Sequence, residues 1–146
     1  MLMNNENLFA ALRAAFPDDL DATAIDAADS ATGTNLKLYS WRDIEQATAR
    51  IANLLTSMNL PAGSRVAVQT EKSVEALMLY LGVLRAGYVY LPLNTAYQAA
   101  EIEYFIGNAE PAVVVCAPNR FLGCSRSPML RRSPKCSRWM RTVRAR

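Results

Sequence analysis

The chain is 146 residues long, 51% apolar and 20% charged, with a mean hydropathy near zero. That excludes a disordered polymer, a coiled coil, a collagen and a disulfide miniprotein, and it points to a globular domain. The net charge of +3 joins two unlike parts. Residues 1–118 hold seven Lys and Arg against thirteen Asp and Glu, a net of −6, while residues 119–146 hold nine basic residues and no acid.

The break divides the chain into a foldable part, residues 1–118, and a basic tail, residues 119–146, expected to be disordered. In the first part, Leu8, Phe9, Leu12, Ala15 and Phe16 share a helical face, and Pro17-Asp18-Asp19 ends that helix. Ala22–Asp26 and Leu36–Tyr39 read as extended pieces around the turn-rich Asp29–Thr34, a hairpin. Ser40-Trp41-Arg42-Asp43 carries the S-x-x-[DE] start signal of a second helix. Its stripe is Ile44, Ala47, Ile51, Leu54, Leu55 and Met58. Pro61–Ser64 is a turn and Arg65–Thr70 a strand.

Ser73 is placed to cap a helix over Val74–Ala86, with Gly87 as its left-handed stop. That helix is apolar nearly all round, so burial on most sides is expected. Tyr88–Leu91 is a strand, Ala99–Asn108 a helix with Ile102, Phe105 and Ile106 inward, and Ala112–Cys116 a strand covered on both faces. Strands alternating with helices imply an α/β fold with a parallel sheet, preceded by a helix and a hairpin.

Such a sheet offers ligands the carboxyl ends of its strands. Here those ends read Gln69-Thr70-Glu71-Lys72-Ser73, Pro92-Leu93-Asn94-Thr95 and Ala117-Pro118. Neither G-x-G-x-x-G nor G-x-x-x-x-G-K-[ST] occurs, so both familiar phosphate cradles are missing. The chain has no histidine, so Ser73 has no His base to make it a nucleophile and is read as a helix cap. Glu71 and Lys72 read as a solvated pair. Glu101 and Glu103, two apart on a helix, read as its wet side, and Tyr80, Tyr88, Tyr90, Tyr97 and Tyr104 read mostly as packing. Cys116, Cys124 and Cys136 are odd in number with no Cys-x-x-Cys, so no zinc site is expected. No residue is assigned a catalytic, cofactor-binding or metal-ligating role. No signal peptide and no membrane span are read, and a cytoplasmic setting is the expectation.

Several segments together resemble the start of AMP-forming acyl-CoA synthetases. They are Tyr39–Asp43, Pro61–Val68, Leu84–Asn94 and Glu101–Ile106, with Gly63, Gly87, Pro92 and Glu101 fitting at once. Glu71–Ala76 and Leu91–Tyr97 most resemble the malonyl-CoA synthetases of that superfamily. Ser64 departs from an Asp common after that Gly, at a turn position. The resemblance spans residues 5–118 and implies the amino-terminal subdomain of the acyl-CoA synthetase fold. It implies a ligase that joins a malonate-like carboxylate to CoA through an acyl-adenylate, using ATP and Mg. The family's phosphate loop and catalytic Lys match nothing in this chain, so no cofactor is expected to bind it and the chain alone is expected to be inactive.

The tail reads as the product of a shifted frame: permitted codons for Ser133–Arg146, read from the third base, encode a strand, an acidic turn and a Gly-Ser loop. The rival readings are a stand-alone binding module and a small basic nucleic-acid binder, the latter without a recognisable nucleic-acid module before the tail. Self-association is expected through an open sheet edge and an apolar face at Val113, Val115 and Leu91.

Overall fold

A computed structural model describes residues 7–28 and 36–117. The turn expected at Asp29–Thr34 and the whole tail, with Cys124 and Cys136, lie outside the described residues. The element order is α1 (Leu8–Ala14), β1 (Thr23–Ala28), β2 (Leu36–Ser40), α2 (Trp41–Thr56), β3 (Arg65–Gln69), α3 (Val74–Arg85), β4 (Val89–Pro92), α4 (Ala99–Ala109) and β5 (Val113–Cys116). Contacts divide the chain into two units, Met1–Asn59 with Ser73–Gly87, and Leu60–Lys72 with Tyr88–Arg146.

In the first unit, β1 and β2 pair antiparallel, with Ile25 opposite Tyr39 and a register shift between Thr23 and Ile25. Helix α2 begins at a capping box. Asp43 N donates to Ser40 Oγ at 3.1 Å, and Ser40 N donates to Asp43 Oδ2 at 2.8 Å, which satisfies two backbone donors at once. Helix α2 buries Ile44, Thr48, Ala52 and Leu55. Thr48 is a polar residue on the buried stripe that an apolar count passes over. Its hydroxyl donates to Ile44 O at 2.8 Å, which makes burial tolerable.

Helix α2 packs on α3 at Gly82, where an added Cβ would stand 2.6 Å from Ile51 Cγ2. Close approach is therefore what the glycine provides. Helix α3 buries Met78, Gly82 and Val83 but leaves Leu77 43% exposed, so its burial is less complete than its all-round apolar sequence led one to expect. Helix α1 departs from its expected face as well. Phe9 is buried, whereas Leu8 and Leu12 are exposed. The helix ends two residues before Phe16, whose ring instead meets Trp41 at 4.6 Å between centroids.

In the second unit, β3 is the middle strand of a three-stranded sheet in the order β4-β3-β5. Both pairings are parallel, with Ala67 opposite Leu91 on one side and Val114 on the other. Strand alternation puts Ala67, Gln69, Leu91, Leu93, Val114 and Cys116 on one face. Against that face lie Ile102 and Ile106 of α4, forming an apolar cluster with Tyr97 and Phe105 at its border. The opposite face carries Val66 and Val68, both buried, and Val113 and Val115, both half-buried. Leu91 therefore does not share a face with Val113 and Val115: parity along the register separates them.

Candidate functional site

The carboxyl ends of β3, β4 and β5 converge because the three strands run parallel. Backbone bonds extend the ladder past the strands, from Leu93 N to Val68 O at 2.8 Å and from Ala117 N to Gln69 O at 3.3 Å. Gln69 ends the central strand and is 3% exposed. Its Nε2 donates to Asn94 O at 2.9 Å, tying the end of β3 to the loop after β4.

Asn94 then organises that loop. Its Oδ1 accepts from Ala96 N at 2.9 Å, and its carbonyl also accepts from Tyr97 N at 3.1 Å, a local turn of the kind asparagine favours. The turn delivers the chain to α4, where Gln98 N donates to Glu101 Oε2 at 2.9 Å. Tyr97 stacks on Phe105 at 4.9 Å between ring centroids.

The residues singled out in the sequence fall as follows. Ser73 is the cap of α3, its Oγ accepting from Ala76 N at 3.1 Å. Glu71 and Lys72 are both exposed, and no ion pair joins them among the described residues. Glu103 is exposed, while Glu101 turns out to serve the start of α4. Tyr88 is buried, with its hydroxyl 3.5 Å from Leu60 O. Tyr104, by contrast, is 63% exposed. Cys116 is buried in the apolar cluster. Sequence reasoning passed over Gln69 and Asn94 as site residues. Their signal was a polar residue closing a buried strand, and an Asn directly after the next one.

Three carboxylates of the first unit titrate below their ordinary range. Asp21 is lowered chiefly by hydrogen bonds from Arg42, at 2.6 and 2.9 Å, and Asp43 by the Ser40 backbone and hydroxyl. Glu75 is lowered first by its own backbone N–H, then by the hydroxyls of Tyr39 and Ser73 and the charge of Lys37, against a counteracting burial. Each shift comes from a tie that fixes a helix start or the hairpin.

The strand ends thus present amide and hydroxyl groups in an ordered loop, but no preorganised positive charge. No group of three His, Cys, Asp or Glu suited to a metal occurs among the described residues. No described helix is long and apolar enough to cross a membrane. The arrangement fixes the backbone of the loop after β4 against the end of β3. It does not itself supply the charge stabilisation that phosphate chemistry requires.

The family of AMP-binding enzymes matches residues 14–143. Among solved structures, ATP-bound MatB from Rhodopseudomonas palustris is 47% identical, with a TM-score of 0.71, over 82% of this chain and 22% of that one. An acyl-CoA synthetase from Brucella canis is 25% identical, with a TM-score of 0.67, over 75% of this chain and 20% of that one. Pyochelin synthetase PchF from Pseudomonas aeruginosa is 33% identical over 97 residues, 66% of this chain and 5% of that protein. This chain therefore spans about a fifth of the length of the solved relatives. The parallel sheet preceded by a helix and a hairpin is the amino-terminal part of the acyl-CoA synthetase fold.

Proposed function

The chain belongs to the AMP-binding enzyme family, and from that premise we propose that it is the amino-terminal scaffold of an ATP-dependent acyl-CoA ligase acting on malonate or a similar small carboxylate. The observation that carries this reading is the 47% identity, over 82% of the chain, to a protein solved with ATP bound. The thioester product is supported by the similarity to an acyl-CoA synthetase. Malonate is supported by the resemblance of Glu71–Ala76 and Leu91–Tyr97 to malonyl-CoA synthetases.

In the proposed reaction a substrate carboxylate oxygen attacks the α-phosphorus of ATP and pyrophosphate leaves. The thiol sulfur of CoA then attacks the acyl carbon, AMP leaves, and the thiol proton is released. The described residues do not fit ATP phosphates or Mg, for want of a Gly-rich loop or a carboxylate cluster. The contribution of this chain is to hold the sheet ends and the Asn94 loop in place. We also take residues 119–146 as a tail outside the subdomain, the setting as cytoplasmic, and the sheet edges as a surface through which copies of the chain associate.

Two measurements test the reading. The 146-residue chain alone should not exchange pyrophosphate into ATP with malonate present, and reproducible exchange above a blank would overturn the scaffold role. A chimera carrying residues 7–117 in place of the matched part of the R. palustris protein should make a CoA thioester from malonate in preference to acetate or benzoate. A folded chimera that prefers one of the other acids removes the malonate assignment. Sedimentation of the chain and limited trypsin digestion check the association and the tail: a monodisperse monomer, or protection of the bonds after Arg131 and Arg132, argues against each in turn.

A further inference from the structure

An open groove of about 500 Å3 in the first unit is lined by Asn7, Phe9, Ala10, Arg13, Ala14 and Arg85. Its two guanidinium groups share one carboxylate. Arg13 Nε lies 2.8 Å from Glu45 Oε2, and Arg85 Nη2 lies 2.9 Å from Glu45 Oε1. Two cations against one anion leave a surplus charge of +1.

The two arginines are not equivalent. Arg85 is also committed through Nη1, which donates to Glu45 O and Thr48 Oγ1, each at 3.2 Å. Arg13 is paired with Glu45 through Nε, and Glu45 Oε2 receives no aligned hydrogen bond. The two terminal amino groups of Arg13 donate no hydrogen bond among the described residues, and its side chain is 39% exposed. Both guanidiniums are held over aromatic rings, Arg13 at 5.1 Å from the Phe16 centroid and Arg85 at 4.8 Å from that of Phe9. A cation so stacked is placed before a ligand arrives, which lowers the ordering cost of binding. The rest of the lining, Phe9, Ala10 and Ala14, is apolar.

We propose that this groove binds a monoanionic carboxylate that carries a short apolar chain. The carboxylate would take both terminal amino groups of Arg13, the fork geometry that guanidinium offers. The surplus of one positive charge matches one negative charge. The apolar chain would lie along Phe9, Ala10 and Ala14, and the volume is within the range of small-molecule pockets.

Titration of the isotopically labelled 146-residue chain with hexanoate, at constant ionic strength, tests this. Saturable shifts are expected at the backbone amides of Phe9, Ala10 and Ala14, with acetate weaker by about tenfold or more because it has four methylenes fewer to bury. Arg13→Gln should weaken hexanoate by about tenfold, and Arg13→Lys by less, since Lys keeps charge but loses the fork. Because Arg13→Gln also disturbs Glu45, Ala14→Glu provides a second variant. Ala14 is exposed and takes no part in the Glu45 pairing, so this change keeps both arginines, places a negative charge in the groove and should abolish binding. The proposal is overturned if hexanoate moves none of those amides, if acetate binds equally well, or if the folded Ala14→Glu chain binds hexanoate like the parent.

Discussion

Both units have backbone ladders and apolar packing, but the first adds charged and polar side-chain ties between its elements, whereas the second rests on its ladders and one apolar cluster. In the first, Asp21–Arg42, Tyr39–Glu75, Ser40–Asp43 and Arg13–Glu45–Arg85 link helices and hairpin. In the second, two parallel ladders meet on β3, and Gln69, its one buried polar side chain among the described residues, serves the backbone. The first unit therefore answers to pH and salt as well as to changes of packing volume, the second chiefly to volume. Charge ties respond to pH and salt, because exposed ion pairs are screened. Apolar burial responds to lost volume.

The largest effect should come from the second unit's cluster. Ile106 is 2% exposed, and Ile106→Ala should cost about 2–5 kcal/mol through lost burial and the cavity left behind, read as a lower denaturation midpoint. A loss below 1 kcal/mol would mean the cluster collapses freely and the contrast is weaker than drawn. Gly82→Ala comes next. Alanine favours a helix by about 1 kcal/mol over glycine, but here its Cβ would meet Ile51 at 2.6 and 2.7 Å. Overpacking should win, with a net loss of about 1–3 kcal/mol, and a thermal melt showing stabilisation would refute the close approach.

Gln69→Leu should cost about 1 kcal/mol. The value is modest because Asn94 O keeps a second donor, Tyr97 N. Slower hydrogen exchange at Ala96 and Tyr97 in the variant would contradict the role given to Gln69, which requires faster exchange there.

The smallest effect separates the units by pH. Asp43 is held below the ordinary aspartate range by Ser40, so its folded-state pKa lies under its unfolded value. Its stabilisation is then present above the ordinary aspartate range and is lost as pH falls through the folded value. Asp43→Asn should lower the melting temperature at pH 7, and the difference from the parent should shrink as pH falls below the ordinary aspartate range. A difference that stays constant as pH falls would show that the carboxylate charge is not what stabilises this helix start.

Much of this fold was legible because its signals are local. Ser40-x-x-Asp43, Ser73 before an apolar run, and Gly63 and Gly87 at positive φ each state a boundary within four residues. The parallel sheet followed from alternation of strands and helices. What was not legible depends on partners distant in sequence. The outward turn of Leu8 and Leu12 depends on which side of α1 meets α3, a contact about 70 positions away. The burial of Thr48 depends on α3, whose Arg85 Nη1 donates to its hydroxyl from 37 positions away. Leu91 parted from Val113 and Val115 only when register fixed parity, since a shift of one residue would exchange the faces. The strand-end loop was placed correctly, but the hydrogen bond from Gln69 to Asn94 needs a register between β3 and β4 that no local pattern contains.

The central position of β3 has a consequence in time. Ala67 pairs with Val114, 47 positions later in the chain, so β3 leaves the ribosome well before one of its two neighbours exists. At translation rates of roughly 5–20 residues per second, that interval is about 2–9 seconds. Through it the run Val66-Ala67-Val68 waits with an unpaired side, long enough for a chaperone or another nascent chain to reach it. Non-local parallel pairing is slow for the same reason, since loop closure precedes any reward from contact. Synonymous codons that slow translation between residues 70 and 113 would lengthen that exposure without changing a single residue of the finished protein.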